Sequence, residues 1–237
     1  MNDSQLPAWA KRIAVFDTET TGLDLQTARI VTASVVELDE SGQIVVDRDE
    51  WLADPEIEIP EAASNVHGIT TAIARERGRN YKEVVSEILE TLRDCFERGI
   101  PVVAYNAPYD FTILHFEALR HGIEPLKNPS PVVDPLVIDK FLDRYRGGKR
   151  RLELTAEYYQ VPLDDAHNAT ADAVAAGRVA QAIARKFFDR LDIPADQLHA
   201  SQIAWAKDLD LDFARFMQGK DPSFKPQLGW PLKFQGE

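Results

Sequence analysis

The sequence has little cysteine and no long hydrophobic run. Its 237 residues include one cysteine, Cys95, so a framework of disulfide bonds is excluded and we expect a reducing, cytoplasmic location. No apolar run approaches the roughly 20 residues that cross a bilayer, and residues 1–12 lack the apolar core of a signal peptide. We therefore expect no membrane partner. Internal repeats and low-complexity segments are also absent from the sequence, which excludes repeat architectures.

Basic residues are outnumbered by acidic ones. There are 27 Lys and Arg against 39 Asp and Glu, with a formal net charge of −12. This balance argues against nonspecific binding of nucleic acid over the whole surface, but it leaves room for a local basic patch or for bound cations. The hydrophobic fraction is 44%, which at this length suffices for one sizeable core, alone or with a small appendage.

The order of the predicted elements indicates an α/β fold. Residues 11–18, 29–39 and 42–52 are predicted as three strands joined by short turns, which is typical of an antiparallel meander. Two short strands, in PVVAYN and PVVD, then alternate with helices whose apolar residues recur at helical spacing. We predict a mixed five-stranded sheet flanked by helices, with one helix beginning near Pro135.

Two acids end the first predicted strand, in the stretch IAVFDTETTGL. Residues i and i+2 of a strand share a face, so Asp17 and Glu19 project together at its carboxyl end, where open α/β sheets bind ligands. Neighbouring acids repel each other and are costly to bury unless a cation neutralises them. The alternative is a strand end with two solvated acids.

Two later motifs supply further polar side chains. Asp110 follows the fourth strand and opens a helix, where an acid also has a structural explanation. The stretch HNATADA suits a loop position for His167 and a position one turn inside a helix for Asp172. Four converging carboxylates would hold two hard divalent cations, as in sites that transfer phosphoryl groups. His167 would then be the base that takes a proton from the attacking water.

These motifs, in this order, resemble the DEDD superfamily of 3′–5′ exonucleases in its histidine-containing branch. FDTETTGL, NAPYDFTIL and HNATADA are similar to the first, second and third family motifs, and the similarity runs from about residue 13 to 188. Within that branch, the motifs resemble those of the proofreading epsilon subunit of bacterial DNA polymerase III and its stand-alone homologues. The resemblance implies a ribonuclease H-like fold. It also implies hydrolysis of terminal phosphodiesters, which releases nucleoside 5′-monophosphates.

The resemblance also implies a set of site residues. Two ions, Mg²⁺ or Mn²⁺, would be held by Asp17, Glu19, Asp110 and Asp172, with His167 as general base. Candidate substrate-binding residues are Thr18, Thr20, Leu23, His67 and Asn106. Leu23 would wedge against the last base, although it could equally be core. His67 lies in SNVHGIT, which resembles a family loop near the terminal nucleotide, and Asn106 either positions the metal-site backbone or completes a turn. We interpret Asp134 as structural or as a support for the metal ligands, since the family pattern already supplies four ligands.

The predicted elements also divide the chain into a domain and a C-terminal extension. Residues 1–190 would form the exonuclease domain, and residues 191–237 a helical extension with an irregular tail broken by prolines. The tail stretch QLGWPL (227–232) loosely resembles motifs that bind the bacterial sliding clamp, so a clamp or a DNA polymerase is a candidate partner. We favour the alternative, in which Trp230 and Phe234 pack back on the domain.

The predicted substrate is the 3′ end of single-stranded DNA, in proofreading or repair, because FDTETTGL is more typical of the DNA-polymerase-like members. Two alternatives stay open. One is an exoribonuclease that acts on short RNA or RNA 3′ ends, and the other is a catalytically inactive adaptor that docks on a polymerase. The stretch RYRGGKRR (144–151) is a candidate phosphate-contact loop, although a solvated loop explains it at least as well.

Overall fold

The computed structural model describes residues 5–163 and 168–234, which are built around one five-stranded sheet. The strands are β1 (Ile13–Thr20), β2 (Ile30–Leu38), β3 (Ile44–Leu52), β4 (Val102–Val103) and β5 (Val132–Val133). Their order across the sheet is β3-β2-β1-β4-β5. The first three form an antiparallel meander, and β4 runs parallel to both β1 and β5. The predicted mixed sheet is confirmed.

Helices cover both faces of this sheet. In the described residues they are α1 (Glu61–His67), α2 (Thr71–Arg77), α3 (Tyr81–Glu97), α4 (Pro108–Arg120), α5 (Pro135–Leu142), α6 (Leu152–Tyr158), α7 (Ala169–Lys186), α8 (Phe188–Leu191) and α9 (Ala195–Gln218). None of these helices is both long and apolar enough to span a bilayer. The start predicted near Pro135 is confirmed, because Asp134 caps α5 through the backbone N–H of Leu136.

One predicted loop is wrong. Residues 64–67 of SNVHGIT form the last turns of α1, which ends at Gly68 in the left-handed conformation. Both α1 and α2 are only seven residues long, so each shows too few turns to produce a visible apolar period. His67 is therefore held on a helix rather than on a loop.

The side chains of β1 alternate between two hydrophobic cores, because successive residues of a strand face opposite sides of the sheet. Ala14 and Phe16 belong to the core formed with α3 and α4. Ile13 and Val15 belong to the core formed with α7, and all four side chains are fully buried. This alternation directs the two acids at the end of β1 toward α7 and the intervening Thr18 toward α4.

The helix α7 lies close against the sheet. A Cβ atom at Gly177 would be 2.4 Å from Cγ1 of Val15, so this approach requires glycine. Near the N-terminus of α7, the hydroxyl of Thr170 donates to Oγ of Ser34 on β2 over 2.9 Å. These contacts fix the position of the first turn of α7 over β1 and β2.

The C-terminal residues cover the parallel edge of the sheet. The backbone N–H of Val132 donates to Nδ1 of His199 on α9, and Nε2 of Gln202 donates to the carbonyl of Val132, each over 3.0 Å. Trp230 is only 7% exposed, and Phe234 packs edge-on against two aromatic rings of α4. The expectation that the tail packs back on the domain is confirmed. The division of the chain at residue 190 stays a prediction.

Candidate active site

Three acids meet at the carboxyl end of β1. Asp17 and Glu19 project from β1 toward α7, and Asp172 enters from the first turn of that helix. One carboxylate oxygen from each residue lies within 4.8 Å of the other two. Asn168 caps α7 by accepting hydrogen bonds from two backbone N–H groups of its first turn, which determines where the helix begins. His167, the predicted base, lies outside the described residues.

Asp110 approaches the same end of β1 from the other face of the sheet. It is 2% exposed in the first turn of α4, and the hydroxyl of Thr18 donates to its Oδ1 over 2.8 Å. The negative charge of Asp110 contributes to the raised pKa of both Asp17 and Glu19, although Asp110 is not among the three acids whose oxygens lie within 4.8 Å of one another. The structure therefore brings the four predicted acids together.

Burial and mutual repulsion both oppose ionisation of these acids. Burial, followed by the charges of Asp172 and Asp110, raises the pKa of Glu19 to about 8. Burial raises the pKa of Asp110 to about 7 against the opposing hydrogen bond from Thr18. The pKa of Asp17 is also raised well above its ordinary value, by burial first and then by the neighbouring acids.

A divalent cation fits this donor set. Within residues 5–163 and 168–234, no Lys or Arg forms an ion pair with Asp17, Glu19 or Asp110. The donors are carboxylate oxygens, the ligands that hard cations such as Mg²⁺ and Mn²⁺ prefer. Buried negative charge that no described lysine or arginine offsets, as at Asp17, Glu19 and Asp110, is the arrangement that a bound metal ion would neutralise.

A cavity of about 410 Å³ opens beside Glu19. Its walls come from the end of β1, the following turn, α1 and the start of α4, and they include Thr20, Leu23, Val66, His67 and Tyr109. Leu23 is 86% exposed and Val66 is 50% exposed, so two apolar side chains face solvent at this cavity. The alternative that Leu23 belongs to the core is wrong.

Tyr109 holds the turn that follows β1. Its hydroxyl donates to the carbonyl of Gly22 over 2.8 Å and shares a hydrogen bond with the hydroxyl of Thr20. A register shift between Glu19 and Thr20 lies at the start of this turn. In the family motif that NAPYDFTIL resembles, a phenylalanine is usual at the position of Tyr109, and this difference alone makes Tyr109 noticeable in the sequence. No local pattern indicated the contact, because it joins residues 89 positions apart.

The other candidate substrate-binding residues divide into two groups. His67 lines the cavity, its Nδ1 accepts from the backbone N–H of Ile69 over 3.1 Å, and burial lowers its pKa. Thr18 instead points at Asp110. Asn106 lies in the turn before α4 and lines a different, smaller cavity. Thr20, Leu23 and His67 therefore share one cavity, and Thr18 and Asn106 do not line it.

The basic stretch 144–151 is largely engaged in ion pairs. Arg146 and Arg150 each contact the fully buried carboxylate of Asp139 over 2.7 Å. Arg144 pairs with Asp212 on α9. Three of its five cations therefore have partners within the fold, which weakens the interpretation of the stretch as a phosphate-contact loop. Its remaining cations, both exposed, are Lys149 and Arg151.

Comparison with known proteins identifies the family. Residues 14–180, more than two thirds of the chain, match the RNase T family model, whose description is Exonuclease. The chain belongs to this exonuclease family. The PolC-type DNA polymerase III of Pediococcus pentosaceus is 30% identical over 178 residues, which are 75% of this chain and 12% of that protein. The PolC-type enzyme of Halalkalibacterium halodurans is 28% identical over 199 residues, which are 84% of this chain and 13% of that protein. The exonuclease chain thus spans about an eighth of the length of these relatives.

Solved structures of exonucleases share the fold of this family member. Exonuclease I from Methylocaldum szegediense matches with a TM-score of 0.61 at 21% identity, over 76% of this chain and 42% of that one. Escherichia coli Exonuclease I in complex with a dT13 oligonucleotide matches with a TM-score of 0.61 at 18% identity, over 76% of this chain and 43% of that one. These similarities confirm the predicted ribonuclease H-like exonuclease fold.

Proposed function

We propose that the chain is a metal-dependent 3′–5′ exonuclease of the histidine branch, which hydrolyses terminal phosphodiesters of single-stranded DNA in proofreading or repair. The observation that carries the proposal is the convergence of Asp17, Glu19 and Asp172 within 4.8 Å, with Asp110 in electrostatic contact. The relatives support DNA as the substrate, since several are DNA polymerases and one solved Exonuclease I holds a dT13 oligonucleotide.

The four acids would hold two divalent cations, Mg²⁺ or Mn²⁺. When bound, such ions stabilise charge on the attacking and leaving oxygens of a phosphoryl transfer. The acids must be ionised to act as ligands, and their raised pKa values mean that protons compete with the metal up to about pH 8. Thr18 holds Asp110 by its hydrogen bond and so restricts the orientation of that carboxylate.

The cavity beside Glu19 would receive the terminal nucleotide. Its volume of about 410 Å³ is in the range of small-molecule sites. Leu23 and Val66 offer apolar surface to a base, a contact that tolerates any of the bases because each has an apolar face. Tyr109 and Thr20 fix the turn that carries Leu23, so the apolar wall has a defined position relative to the acids.

His167 would take the proton from the attacking water. It immediately precedes Asn168, the cap of the helix that carries Asp172. A base must be neutral to accept a proton, so we expect kcat to rise with pH through the pKa of this histidine. His167→Ala should lower kcat by roughly 10²–10⁴-fold and leave metal affinity nearly unchanged.

The proposal also includes a cytoplasmic location and a DNA polymerase as partner. Cys95, the single cysteine of the sequence, is buried, which supports a reducing, cytoplasmic location. The relatives named as PolC-type DNA polymerases favour a polymerase as partner. A sliding clamp is less well supported, because Trp230 of the stretch 227–232 is buried against the domain.

Stepwise shortening of 5′-labelled oligonucleotides, which reports the release of mononucleotides from their 3′ ends, tests the activity. DNA and RNA of matched sequence are compared in Mg²⁺, in Mn²⁺ and in chelator, with Asp17→Asn as the inactive control. We expect release from DNA only with a metal. Faster release from RNA would favour the exoribonuclease alternative, and no release from either would favour the adaptor.

A metal titration of His167→Ala tests its role. A low kcat that persists at saturating Mn²⁺ supports the assignment as base. Restoration of most of the rate by excess Mn²⁺ would show that His167 is a metal ligand instead.

A further inference from the structure

Asp134, at the carboxyl end of β5, is fully buried and uses both of its carboxylate oxygens. Oδ1 accepts from the backbone N–H groups of Asn106 and Leu136, over 3.0 and 2.9 Å. Oδ2 accepts from the backbone N–H of Ala107 over 3.0 Å and from Nε1 of Trp230 over 3.3 Å. Two of these four donors belong to the turn that immediately precedes α4.

That turn depends on support from outside its own sequence. Asn106 has a φ of 65°, a left-handed conformation that few residues other than glycine adopt, although asparagine does so more often than most. Ala107 is the N-cap of α4 and has no side chain that could accept a hydrogen bond. Asp134 instead accepts from the backbone N–H groups of Asn106 and Ala107, so a side chain from outside the turn holds it. Asp110 lies in the first turn of α4. The position of the preceding turn, at Asn106 and Ala107, therefore determines the position of the Asp110 carboxylate.

The C-terminal extension in turn holds Asp134. Besides the indole of Trp230, the side chain of Gln202 on α9 accepts from the backbone N–H of Asp134 over 2.7 Å. Gln202 is fully buried, and its Nε2 also donates to the carbonyl of Val132 on the same strand. A third contact reaches α4 directly, since the backbone N–H of Lys233 donates to the hydroxyl of Thr112 over 2.9 Å.

We propose that Trp230 and Gln202 are positioning residues that act through Asp134 to hold Asp110 in place at the metal-binding acids. This inference rests on the proposed function, in which Asp110 is a metal ligand. Both residues lie outside residues 14–180, the part of the chain that matches the family model. The extension is thus part of the support of the active site rather than an independent appendage.

The first experiment measures the turn itself, in metal-free protein. Trp230→Phe removes the indole N–H and keeps an aromatic ring, and Trp205→Phe is the matched control, because Trp205 lies on α9 and stacks on Phe141 instead. Hydrogen exchange of the backbone N–H groups of Asn106 and Ala107 is followed by NMR in chelator. We expect roughly five-fold faster exchange in Trp230→Phe, as for the loss of one hydrogen bond, and no change in the control.

The second experiment measures kinetics on a single-stranded DNA oligonucleotide. Trp230→Phe should lower kcat by roughly ten-fold and raise the half-saturating Mn²⁺ concentration, with KM for DNA unchanged, as for other residues that orient metal ligands. Asp134→Asn should lower kcat by roughly 100-fold, because an amide cannot accept hydrogen bonds on both sides. Gln202→Met should act in the same direction as Trp230→Phe, whereas Trp205→Phe should keep the wild-type kcat.

The outcomes separate this inference from the proposed function. Unchanged exchange in Trp230→Phe overturns the inference, as does faster exchange with an unchanged kcat. Equal effects in Trp205→Phe also overturn it, since they would show a general loss of packing. If the wild-type chain releases no mononucleotide, the proposed function fails, and the exchange measurement still decides whether Trp230 holds the turn.

Discussion

The acids at the end of β1 and the buried acids Glu37 and Asp139 differ in what neutralises them. Glu37 is fully buried and contacts Arg98 over 2.6 Å and Arg12 over 2.7 Å. Asp139 is also fully buried and is bound by two arginines and by the hydroxyl of Tyr159. In contrast, neither Asp17 nor Glu19 pairs with a described lysine or arginine, and their pKa values are raised.

This difference separates acids that support the fold from acids that are placed for a ligand. A buried charge is tolerated when a partner of opposite charge and further hydrogen bonds offset its desolvation. Acids that lack such a partner destabilise the folded protein, and groups with such perturbed pKa values cluster at functional sites. Arginines pair with Glu37 and Asp139, whereas no lysine or arginine in the described part of the chain pairs with Asp17 or Glu19, which indicates that a cation from solution neutralises the acids of β1.

The largest effect is expected from Asp17→Asn. It should lower kcat by roughly 10³-fold, because a metal ion that stabilises the reacting oxygens contributes several kcal/mol to the rate. The same substitution should raise the melting temperature in chelator by relieving repulsion among the acids. Mononucleotide release at saturating Mn²⁺ and a thermal scan without metal measure the two effects. A lower melting temperature in chelator would show that Asp17 is structural.

Asp139→Asn should give the opposite pattern. Removal of the carboxylate charge leaves Arg146 and Arg150 buried without their counterion, which should lower the free energy of unfolding by about 3 kcal/mol. The kcat of the folded enzyme should not change, since Asp139 contacts none of the four acids. Urea unfolding followed by an assay at low temperature tests both expectations. A loss of kcat with unchanged stability would contradict the distinction between the two groups.

The metal-free protein should lose stability as pH rises from about 4.5 to about 8. The pKa of Glu19 rises from 4.5 to about 8 on folding, so in this window the folded state binds more protons than the unfolded state. Its contribution is present in full below the unfolded pKa and is lost as pH passes through the folded pKa. Melting temperatures in chelator at pH 5 and pH 8 should differ less for Glu19→Gln than for wild type. An equal change in melting temperature between pH 5 and pH 8 for the two proteins would contradict the raised pKa of Glu19.

The smallest effect is expected from Arg144→Ala. Its partner, Asp212, lies at the surface of α9, where solvent screens the pair. We expect no measurable change in melting temperature, in contrast to the substitution of Asp139 a few residues earlier. The same variant tests the basic stretch. A clear rise in KM for DNA would show that Arg144 contacts phosphate despite its ion pair.

The parts of the fold that were predicted from the sequence depend on local patterns. The apolar run before Asp17 indicated a strand over residues 11–18, which lies within two residues of β1 at either end. Apolar residues at helical spacing between 198 and 216 indicated α9. Asp110 and Asp172 were predicted in the first turns of helices, and both lie there. Asp134, interpreted as structural or as a support for the metal ligands, caps α5.

The features that were not predicted from the sequence depend on contacts between residues that are far apart along the chain. The indole of Trp230 reaches Asp134 across 96 positions, and no local pattern carries that information. The partners of Arg146 and Arg150 could not be read from the stretch 144–151 itself, because burial of Asp139 becomes visible only when α5 is packed. Sequence reasoning therefore found the acids and missed what holds them in place.

Gly177 has a consequence for how the chain tolerates substitution. It lies five residues after Asp172 on α7, and a Cβ atom there would overlap Cγ1 of Val15. Any larger residue would push the helix off the sheet and carry Asp172 away from the other acids. In a saturation-mutagenesis library selected for nuclease activity, position 177 should therefore be as intolerant as the acids themselves, although it has no functional group. A ranking of positions by tolerance alone would assign it to the catalytic machinery.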